Sequence, residues 1–335
     1  MKPIFRYILV ITALICVQGA FAKNKAPKTI LINSIYYQLN EEKKTATAVA
    51  APPDKKGKIT YPEHVIFPDT ITYKKQKYVF RTIDTDAFFV NQDIKRITVP
   101  NTLTYVDCYT LSLCTKLEWP VYNDKEFIYL PSEYTKSHSD YAIPEGIETI
   151  KSWAISNLYD DFSLTMPNSV TTIEPFAIND CWYPLSVSIS TNVTVISTGA
   201  FWRCALKSIT IPNNIKIIES GAFADCQLEK ITLGTGIEVI AANAFHDNYK
   251  RYEGGPPMEK LDKNGQRQYT IREITIYRET PPEVEGHFEM VPNQKEIILY
   301  VPFYSVDKYT NHPEWGKFDV RPIPPVNDIM LTYMR

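Results

Sequence analysis

Hydrophobic residues recur along this chain at intervals of 22 or 23 residues. The clearest block is Ile209-Thr210-Ile211-Pro212, followed by Ile215, Ile218, Ala222, Phe223 and Cys226. A shift of 22 residues gives the matching set Ile231-Thr232-Leu233, Ile237, Ile240, Ala244, Phe245 and Asn248. Related blocks begin at Ile97, Ile143, Leu164 and Val187. A fixed period of this length predicts a tandem repeat rather than separate globular domains.

Each repeat contains a short strand, a turn and a compact return segment. Residues 209–211 alternate in polarity, which predicts a strand with both isoleucines inward and Thr210 outward. Pro212 ends the strand, residues 215–218 form a second extended piece, and residues 219–225 are predicted to make a helical turn or two. Because one such unit cannot bury its own apolar side, neighbouring units are expected to stack as a solenoid with parallel strands.

The ends of a solenoid need covers, and the sequence predicts both of them. Residues 23–60 are interpreted as an N-terminal β capping region, with a hairpin formed by residues 35–39 and 45–49. The solenoid is assigned to residues 61–270, with a second hairpin in its first coil at residues 71–80. Residues 271–335 are assigned to a C-terminal repeat and cap.

Two insertions are predicted inside the solenoid. The first spans about residues 120–141 and is rich in tyrosine, and its segment 127–130 is expected to pair with residues 119–122. The second spans about residues 249–270 and is charged. Insertions in repeat arrays project as loops, either as tolerated surface segments or as part of the binding side.

The run from Leu206 to Cys226 resembles the repeat of the BspA-like leucine-rich-repeat family. The similarity extends from about His64 to Asn248 and covers the closing segment that ends near Trp315. The resemblance implies a right-handed leucine-rich-repeat β/α coil, with short parallel strands on one face and short helical turns on the other. It also implies an exported surface protein of anaerobic bacteria, with a role in adhesion or protein binding.

The first 22 residues have the pattern of a secretory signal peptide. A basic start precedes an apolar run at residues 8–17, and Ala20-Phe21-Ala22 matches a small-x-small cleavage site. The run is too short to span a bilayer. Bulky Ile15 before Cys16 disfavours a lipid anchor. We therefore expect a secreted or cell-surface protein without a membrane span.

Composition and charge limit the classes of protein and of partner that fit this chain. Apolar residues make up 44% of the chain, which is ample for a packed core. Removal of the first 22 residues would change the formal net charge from −2 to −4, because that segment has two basic residues and no acidic ones. The sequence contains no basic tract with interleaved aromatic residues, so nucleic acid is not an expected partner.

Cysteine and histidine positions bear on possible chemistry. Cysteines recur at one repeat position, at Cys114, Cys181, Cys204 and Cys226. They are expected to point inward as small hydrophobes, with a disulfide between neighbouring coils left open as an alternative. Cys108 is off this column and is predicted to be the most exposed thiol. No C-x-x-C pair, metal-ligand spacing or catalytic motif is present, so no metal, cofactor or enzymatic activity is expected.

Residues that face outward are the candidates for binding. One set is a column of outward-facing hydroxyl residues on the strands, which we call the hydroxyl column. It reflects either the strand propensity of threonine or a flat surface that contacts a partner. Its members are Thr98, Thr165, Ser188, Thr210, Thr232 and Thr275. Aromatic residues outside the buried register, together with one arginine, are stronger candidates. These candidate binding residues are Tyr122, Tyr129, Tyr134, Trp182, Trp202 and Arg203. The tryptophans and the arginine either pack the outer side or form an exposed anchor.

The leading hypothesis is a non-enzymatic recognition protein that binds a protein or glycan on a host or bacterial surface. One alternative is a structural or assembly subunit of a cell-envelope complex. Another is a carbohydrate-binding module that uses the tyrosines of the first predicted insertion.

Overall fold

A computed structural model of the protein describes residues 28–50, 61–88, 93–158, 160–251, 260–286 and 294–325. The predicted signal peptide, the exposure of Cys108 and the middle of the second predicted insertion are outside the described residues. Within these ranges, none of the helices has the length and apolar character needed to cross a bilayer.

The N-terminal part is built from two hairpins that join the first coils. Its strands are β1 (Lys28–Ile32), β2 (Ile35–Asn40), β3 (Thr45–Val49), β4 (His64–Ile66), β5 (Thr70–Tyr73), β6 (Gln76–Ile83), β7 (Arg96–Thr98) and β8 (Tyr105–Val106). Both predicted hairpins are confirmed, since β2 pairs antiparallel with β3 and β5 pairs antiparallel with β6. Strand β1 extends the first hairpin and was not predicted. Because β6 pairs parallel with both β3 and β8, the hairpins continue directly into the coils.

The middle of the chain contains three columns of short parallel strands. Its elements are α1 (Cys108–Ser112), β9 (Val121–Tyr122), β10 (Glu126–Tyr129), α2 (Ser132–Thr135), β11 (Asp140–Ala142), β12 (Thr149–Ile150), β13 (Ile155–Ser156), β14 (Phe162–Thr165), β15 (Thr172–Ile173), β16 (Ile178–Asn179), β17 (Leu185–Ser188) and β18 (Val195–Ile196). One column pairs Leu164 with Val187, another pairs Ile150 with Ile173, and a third pairs β13 with β16. The partners are one repeat apart in sequence, so each coil lies beside the next.

The C-terminal part contains two further parallel sheets of short strands. Its elements are β19 (Ser208–Ile211), β20 (Ile217–Ile218), β21 (Lys230–Leu233), β22 (Val239–Ala241), β23 (Glu273–Ile276), β24 (Glu283–Glu285), β25 (Ile298–Val301), α3 (Val306–Thr310) and β26 (Asp319–Pro322), with 3₁₀ turns at Gln294–Glu296, Phe303–Ser305 and Trp315–Lys317. Strands β19, β21, β23, β25 and β26 form one parallel sheet, and β18, β20, β22 and β24 form another. The prediction of many short parallel strands is therefore confirmed.

The recurring apolar positions form a shared interior. Ile211, Ile218 and Phe223 are each 1% exposed or less, whereas Thr210 is exposed. The Phe223 ring stacks on Phe201 with centroids 5.1 Å apart, and on Phe245 at 5.4 Å. Equivalent side chains from successive coils thus touch one another. They belong to a core cluster that runs from Phe127 to Phe318, and a second core cluster covers residues Ile35 to Tyr129.

The helical turns predicted for the return segments are not confirmed. Residues 219–225 form tight turns in which the Phe223 N–H donates to the Ala244 carbonyl of the next coil, at 2.8 Å. Gly221 and Asp225 have φ values of +63° and +60°, which interrupt an α-helix. This return segment therefore bonds between coils instead of along a helix, whereas α1 (Cys108–Ser112) is a short helix at the same place in an earlier coil. The right-handed sense of the coil stays a prediction.

Much of the first predicted insertion is part of the coils. Strand β10 pairs antiparallel with β9, as predicted, but it also pairs parallel with β12. Strand β11, at the end of the segment, pairs parallel with β14. Phe127 and Leu130 are fully buried. The four consecutive apolar residues 127–130 hide the repeat pattern, because they do not alternate in polarity.

Candidate functional site

The column of thiols faces the interior and has a structural role. The four cysteines at this repeat position are free and buried. The Cys226 Sγ donates to the Phe201 carbonyl of the preceding coil at 3.1 Å. In the following coil, Asn248 takes the same place, and its Nδ2 donates to the Phe223 carbonyl at 3.0 Å. These side chains therefore satisfy a carbonyl that a purely apolar residue would leave without a donor. No disulfide joins them.

Burial of these thiols makes the protein sensitive to alkali. Burial raises the pKa of Cys114 and of Cys226 from 9.0 to about 12 in each case. Between these values the unfolded chain loses thiol protons that the folded chain keeps, so stability falls as pH rises. Each such thiol contributes a slope of about 1.4 kcal/mol per pH unit. Burial raises the pKa of Tyr61 to about 12, which adds a loss of the same sign.

We expect the free energy of unfolding, measured with urea, to decrease steadily from pH 9 to pH 11. The Cys226→Ala variant removes one ionisable group and is expected to give a shallower slope over the same range. A free energy of unfolding that stays flat or rises across this range would contradict the buried-thiol assignment.

The structure brings Trp182, Trp202 and Arg203 together. The Arg203 guanidinium lies 5.0 Å from the Trp202 ring centroid and 6.0 Å from that of Trp182. Arg203 also forms ion pairs with Asp180 at 2.8 Å and with Asp225 at 3.6 Å. Asp180, Arg203 and Asp225 occupy one repeat position in three successive coils. The stacking of coils therefore fixes an arginine between two carboxylates and against two indole rings.

Two further aromatic residues extend this group. The Trp153 ring stacks on Phe176 at 5.8 Å, and Phe176 meets Trp202 edge-to-face at 6.1 Å. Trp153 is 43% exposed. We call Trp153, Phe176, Trp182, Trp202 and Arg203 the arginine–tryptophan cluster.

Phe176 was not predicted as a candidate, although the repeat contains a signal for it. Trp153, Phe176 and Gly199 share one repeat position, and all three have φ near +60°. A Cβ atom on Gly199 would overlap the Phe176 ring, so the glycine leaves room for that ring to lie across the next coil. When a repeat position is aromatic in one coil and glycine in the next coil, the pattern therefore indicates that the aromatic ring extends over the next coil.

The tyrosine candidates occupy different environments. Tyr129 is only 6% exposed and packs in the core, so it is not a surface contact. It belongs to the N-terminal core cluster together with Ile128, its neighbour on β10. Tyr122 is 42% exposed, whereas Tyr134 stacks on His138 at 3.9 Å and meets Tyr141 edge-to-face at 5.4 Å. These rings cover each other and do not present a shared flat platform.

A shallow concavity lies on the strand side of the coils. It has a volume of about 580 Å³, and most of the residues that line it lie on β14, β17 and β19. Strand β17 ends one parallel sheet and β19 begins another, so the concavity marks a break between sheets. Its polar lining includes Ser163, Ser186, Ser208 and Thr210, and no tryptophan or tyrosine contributes to it. Of the hydroxyl column, Thr210 is the member that borders this groove.

A metal centre is not assembled among the described residues. No group of three or more histidine, cysteine, aspartate or glutamate side chains within them is placed to hold a metal ion. The fold builds an outer surface of aromatic rings, on which Arg203 is held between the carboxylates of Asp180 and Asp225.

Stacked coils with a shared core define this chain as a leucine-rich-repeat protein. Six copies of the BspA type leucine rich repeat region match residues 63–136 and 132–251. The match covers more than half of the chain, and the protein belongs to this BspA-type family. Comparison with curated proteins gives no match.

Solved structures of bacterial leucine-rich-repeat proteins are similar to this chain. A leucine rich cell surface protein from Faecalibacterium prausnitzii is 16% identical, with 67% of this chain and 93% of that chain covered and a TM-score of 0.35. A leucine-rich repeat protein from Bacteroides ovatus is 15% identical, with 88% and 100% covered and a TM-score of 0.38. The pneumococcal vaccine antigen PcpA is 13% identical, with 90% and 100% covered and a TM-score of 0.31. The family assignment rests on the repeat match.

Proposed function

We propose that this protein is an exported, non-enzymatic surface protein that binds a partner protein through the arginine–tryptophan cluster. Membership of the BspA-type family and the export pattern of residues 1–22 support the location and the general role. The observation that favours this surface is the clamped position of Arg203 between two carboxylates and two indole rings. Tryptophan and arginine are over-represented among residues that dominate binding energy.

The cluster is suited to binding because it is already ordered. Inter-coil hydrogen bonds fix the backbone on both sides, for example from the Arg203 N–H to the Ala224 carbonyl at 3.0 Å. A side chain that is fixed before binding loses little conformational entropy when a partner arrives. Trp153, which is 43% exposed, supplies apolar area that a partner would bury.

A protein partner fits this surface better than a glycan. Sugar rings stack on open aromatic faces, but Trp153 and Phe176 stack on each other with an interplanar angle of 20°. Tyr134 is covered in the same way by His138, at 6°. Each of these rings has one face covered, and the cluster combines apolar ring area with an arginine, which suits the mixed apolar and polar surface of a protein.

Two measurements test the proposal. Intact cells that produce the protein are treated with a membrane-impermeant biotin reagent, and the protein is expected to be labelled. The purified chain is then tested by biolayer interferometry against a panel of extracellular matrix proteins and purified envelope proteins. For the matrix protein that binds, the double variant Trp153→Ala with Trp202→Ala is expected to weaken Kd by about tenfold or more.

The matched control is Trp119→Ala. Trp119 is 51% exposed and has Arg96 over its ring at 5.6 Å, but it is not part of the cluster. This variant is expected to bind as the unaltered protein does, and thermal unfolding of all variants shows that they are folded. Equal binding by the double variant would overturn the role of the cluster. Binding to envelope proteins alone would favour an assembly subunit instead.

A further inference from the structure

The second predicted insertion is bonded to the coils at its base. Its described ends pair antiparallel through a bridge between Tyr249 and Tyr269. The Thr270 N–H donates to the Asn248 carbonyl at 2.9 Å, which joins the end of the insertion to the coil that precedes it. Side chains at this base therefore have fixed positions relative to the coils.

One arginine at this base shares a carboxylate with the arginine–tryptophan cluster. Arg251 forms an ion pair with Asp225, and Asp225 also pairs with Arg203 at 3.6 Å. Arg203 pairs in turn with Asp180 at 2.8 Å. Four side chains of alternating charge therefore form a row across the coils. We call Asp180, Arg203, Asp225 and Arg251 the charged row.

Arg251 is the most buried side chain of the charged row. Its side chain is 6% exposed, compared with 20% for Asp225 and 25% for Arg203. Its guanidinium also lies 5.2 Å from the Tyr249 ring centroid. A shielded ion pair is screened little by salt, and the loss of one partner leaves the other without its counter-charge. Arg251 therefore compensates a large part of the charge of Asp225.

The position of Arg203 depends on the charges of the two carboxylates beside it. With Arg251 in place, the charge of Asp225 is shared between two guanidinium groups. Without Arg251, Asp225 would act on Arg203 alone, and its attraction would compete more strongly with that of Asp180. The Arg203 guanidinium, now 5.0 Å from the Trp202 ring centroid, would then shift away from this ring.

We propose that Arg251 is a positioning residue of the arginine–tryptophan cluster, and that it acts on Arg203 through the shared carboxylate of Asp225. Arg251 is buried, so it contributes to binding by keeping the Arg203 guanidinium over the Trp202 ring. The base of the second predicted insertion is then part of the binding site. The effect on binding rests on the proposed function, whereas the coupling between the two arginines is a property of the chain alone.

The tryptophan band of near-ultraviolet circular dichroism tests the positioning role without a partner. Arg251→Gln is expected to change this band in the same direction as Arg203→Gln, because both variants alter the contact between Arg203 and Trp202. Asp225→Asn removes the shared carboxylate and provides a second test. It is expected to change the band as well, so the proposal can be tested even if Arg251→Gln does not fold.

Arg267→Gln is the matched control. Arg267 belongs to the same insertion and lies 4.8 Å from the Tyr249 ring centroid, but it pairs with Asp247 at 3.2 Å and not with Asp225. Its variant is expected to keep the tryptophan band of the unaltered protein. A change that only reflects a loosened insertion would appear in this control too.

A double-mutant cycle in urea unfolding measures the coupling through Asp225. Either arginine alone still compensates this carboxylate in part, so the loss of both is expected to exceed the sum of the single losses. For Arg203→Gln with Arg251→Gln, we expect the folding equilibrium constant to fall by about fivefold more than the product of the single effects. Arg203→Gln with Arg267→Gln is expected to agree with that product within about twofold.

The proposal is overturned if Arg251→Gln and Asp225→Asn leave the tryptophan band unchanged, if Arg267→Gln changes it equally, or if the first cycle is additive. In the binding assay above, Arg251→Gln is expected to weaken Kd by about fivefold and Arg267→Gln to leave it unchanged. Unchanged Kd in Arg251→Gln would remove its role in binding without affecting the proposed function. If no protein of the panel binds, the proposed function fails, and the band and the cycle still decide whether Arg251 positions Arg203.

Discussion

Replacement of Phe223 by alanine is expected to lower the free energy of unfolding by about 3–5 kcal/mol. The Phe223 side chain is fully buried and lies between the parallel rings of Phe201 and Phe245, 5.1 and 5.4 Å away. Its loss leaves a cavity and breaks the contact between three coils at once. Urea denaturation followed by circular dichroism gives the change in free energy directly.

Thr210→Ala is the control for this prediction. Thr210 is exposed on β19, one residue before the buried Ile211. Its replacement is expected to change the free energy of unfolding by about 0.5 kcal/mol or less. If the two variants lost the same stability, the assignment of inward and outward positions would be wrong.

Replacement of Trp315 by alanine is expected to have a comparable effect, of about 3–5 kcal/mol, at the C-terminal end of the array. Trp315 is 1% exposed, and its ring packs against Tyr309 at 6.1 Å and Phe318 at 5.9 Å. Its Nε1 donates to the Pro282 carbonyl at 2.8 Å. The alanine variant loses both the packing and this donor, so the last coils lose their cover. Urea denaturation measures the loss.

Hydrogen exchange shows whether the loss of stability in the Trp315→Ala variant is confined to the C-terminal strands. In the Trp315→Ala variant, amides of β25 and β26 are expected to exchange faster than those of β14 and β17. Tyr304→Ala is the control, because Tyr304 is 92% exposed in the same region. A loss of stability in the control as large as that of the tryptophan variant would contradict the assignment of Trp315 as the cap residue.

The buried positions of this fold could be predicted from the sequence, because the same pattern of apolar residues recurs in successive coils. The sequence of one coil does not decide whether Ile211 or Phe223 points inward or outward. Apolar residues recur at these positions in successive coils, and this recurrence predicts that they point inward. The return segments could not be predicted in the same way. Their N–H groups bond to the next coil, as Phe223 does to Ala244, and local helix propensity contains no information about that choice.

The candidate surfaces were only partly predictable for the same reason. The sequence identifies Trp202 and Arg203 because they lie outside the repeat positions that are buried. The place of Phe176 in the cluster depends instead on the space that Gly199 leaves in the next coil. The cleft that Lys207 and Lys250 line was not predicted, since the two residues are far apart in sequence. They meet because a hairpin returns to the coil, a contact that periodicity does not encode.

The central claim is that successive coils share one dry interior, and the thiols of Cys181, Cys204 and Cys226 report on it in three neighbouring coils. The direct measurement is the rate of alkylation of each thiol by iodoacetamide, read peptide by peptide with mass spectrometry. In the native protein all three are expected to react at least about a thousandfold more slowly than in urea, since reaction requires unfolding that costs about 5 kcal/mol or more. Native alkylation of any of the three at the rate of the unfolded chain would contradict the account.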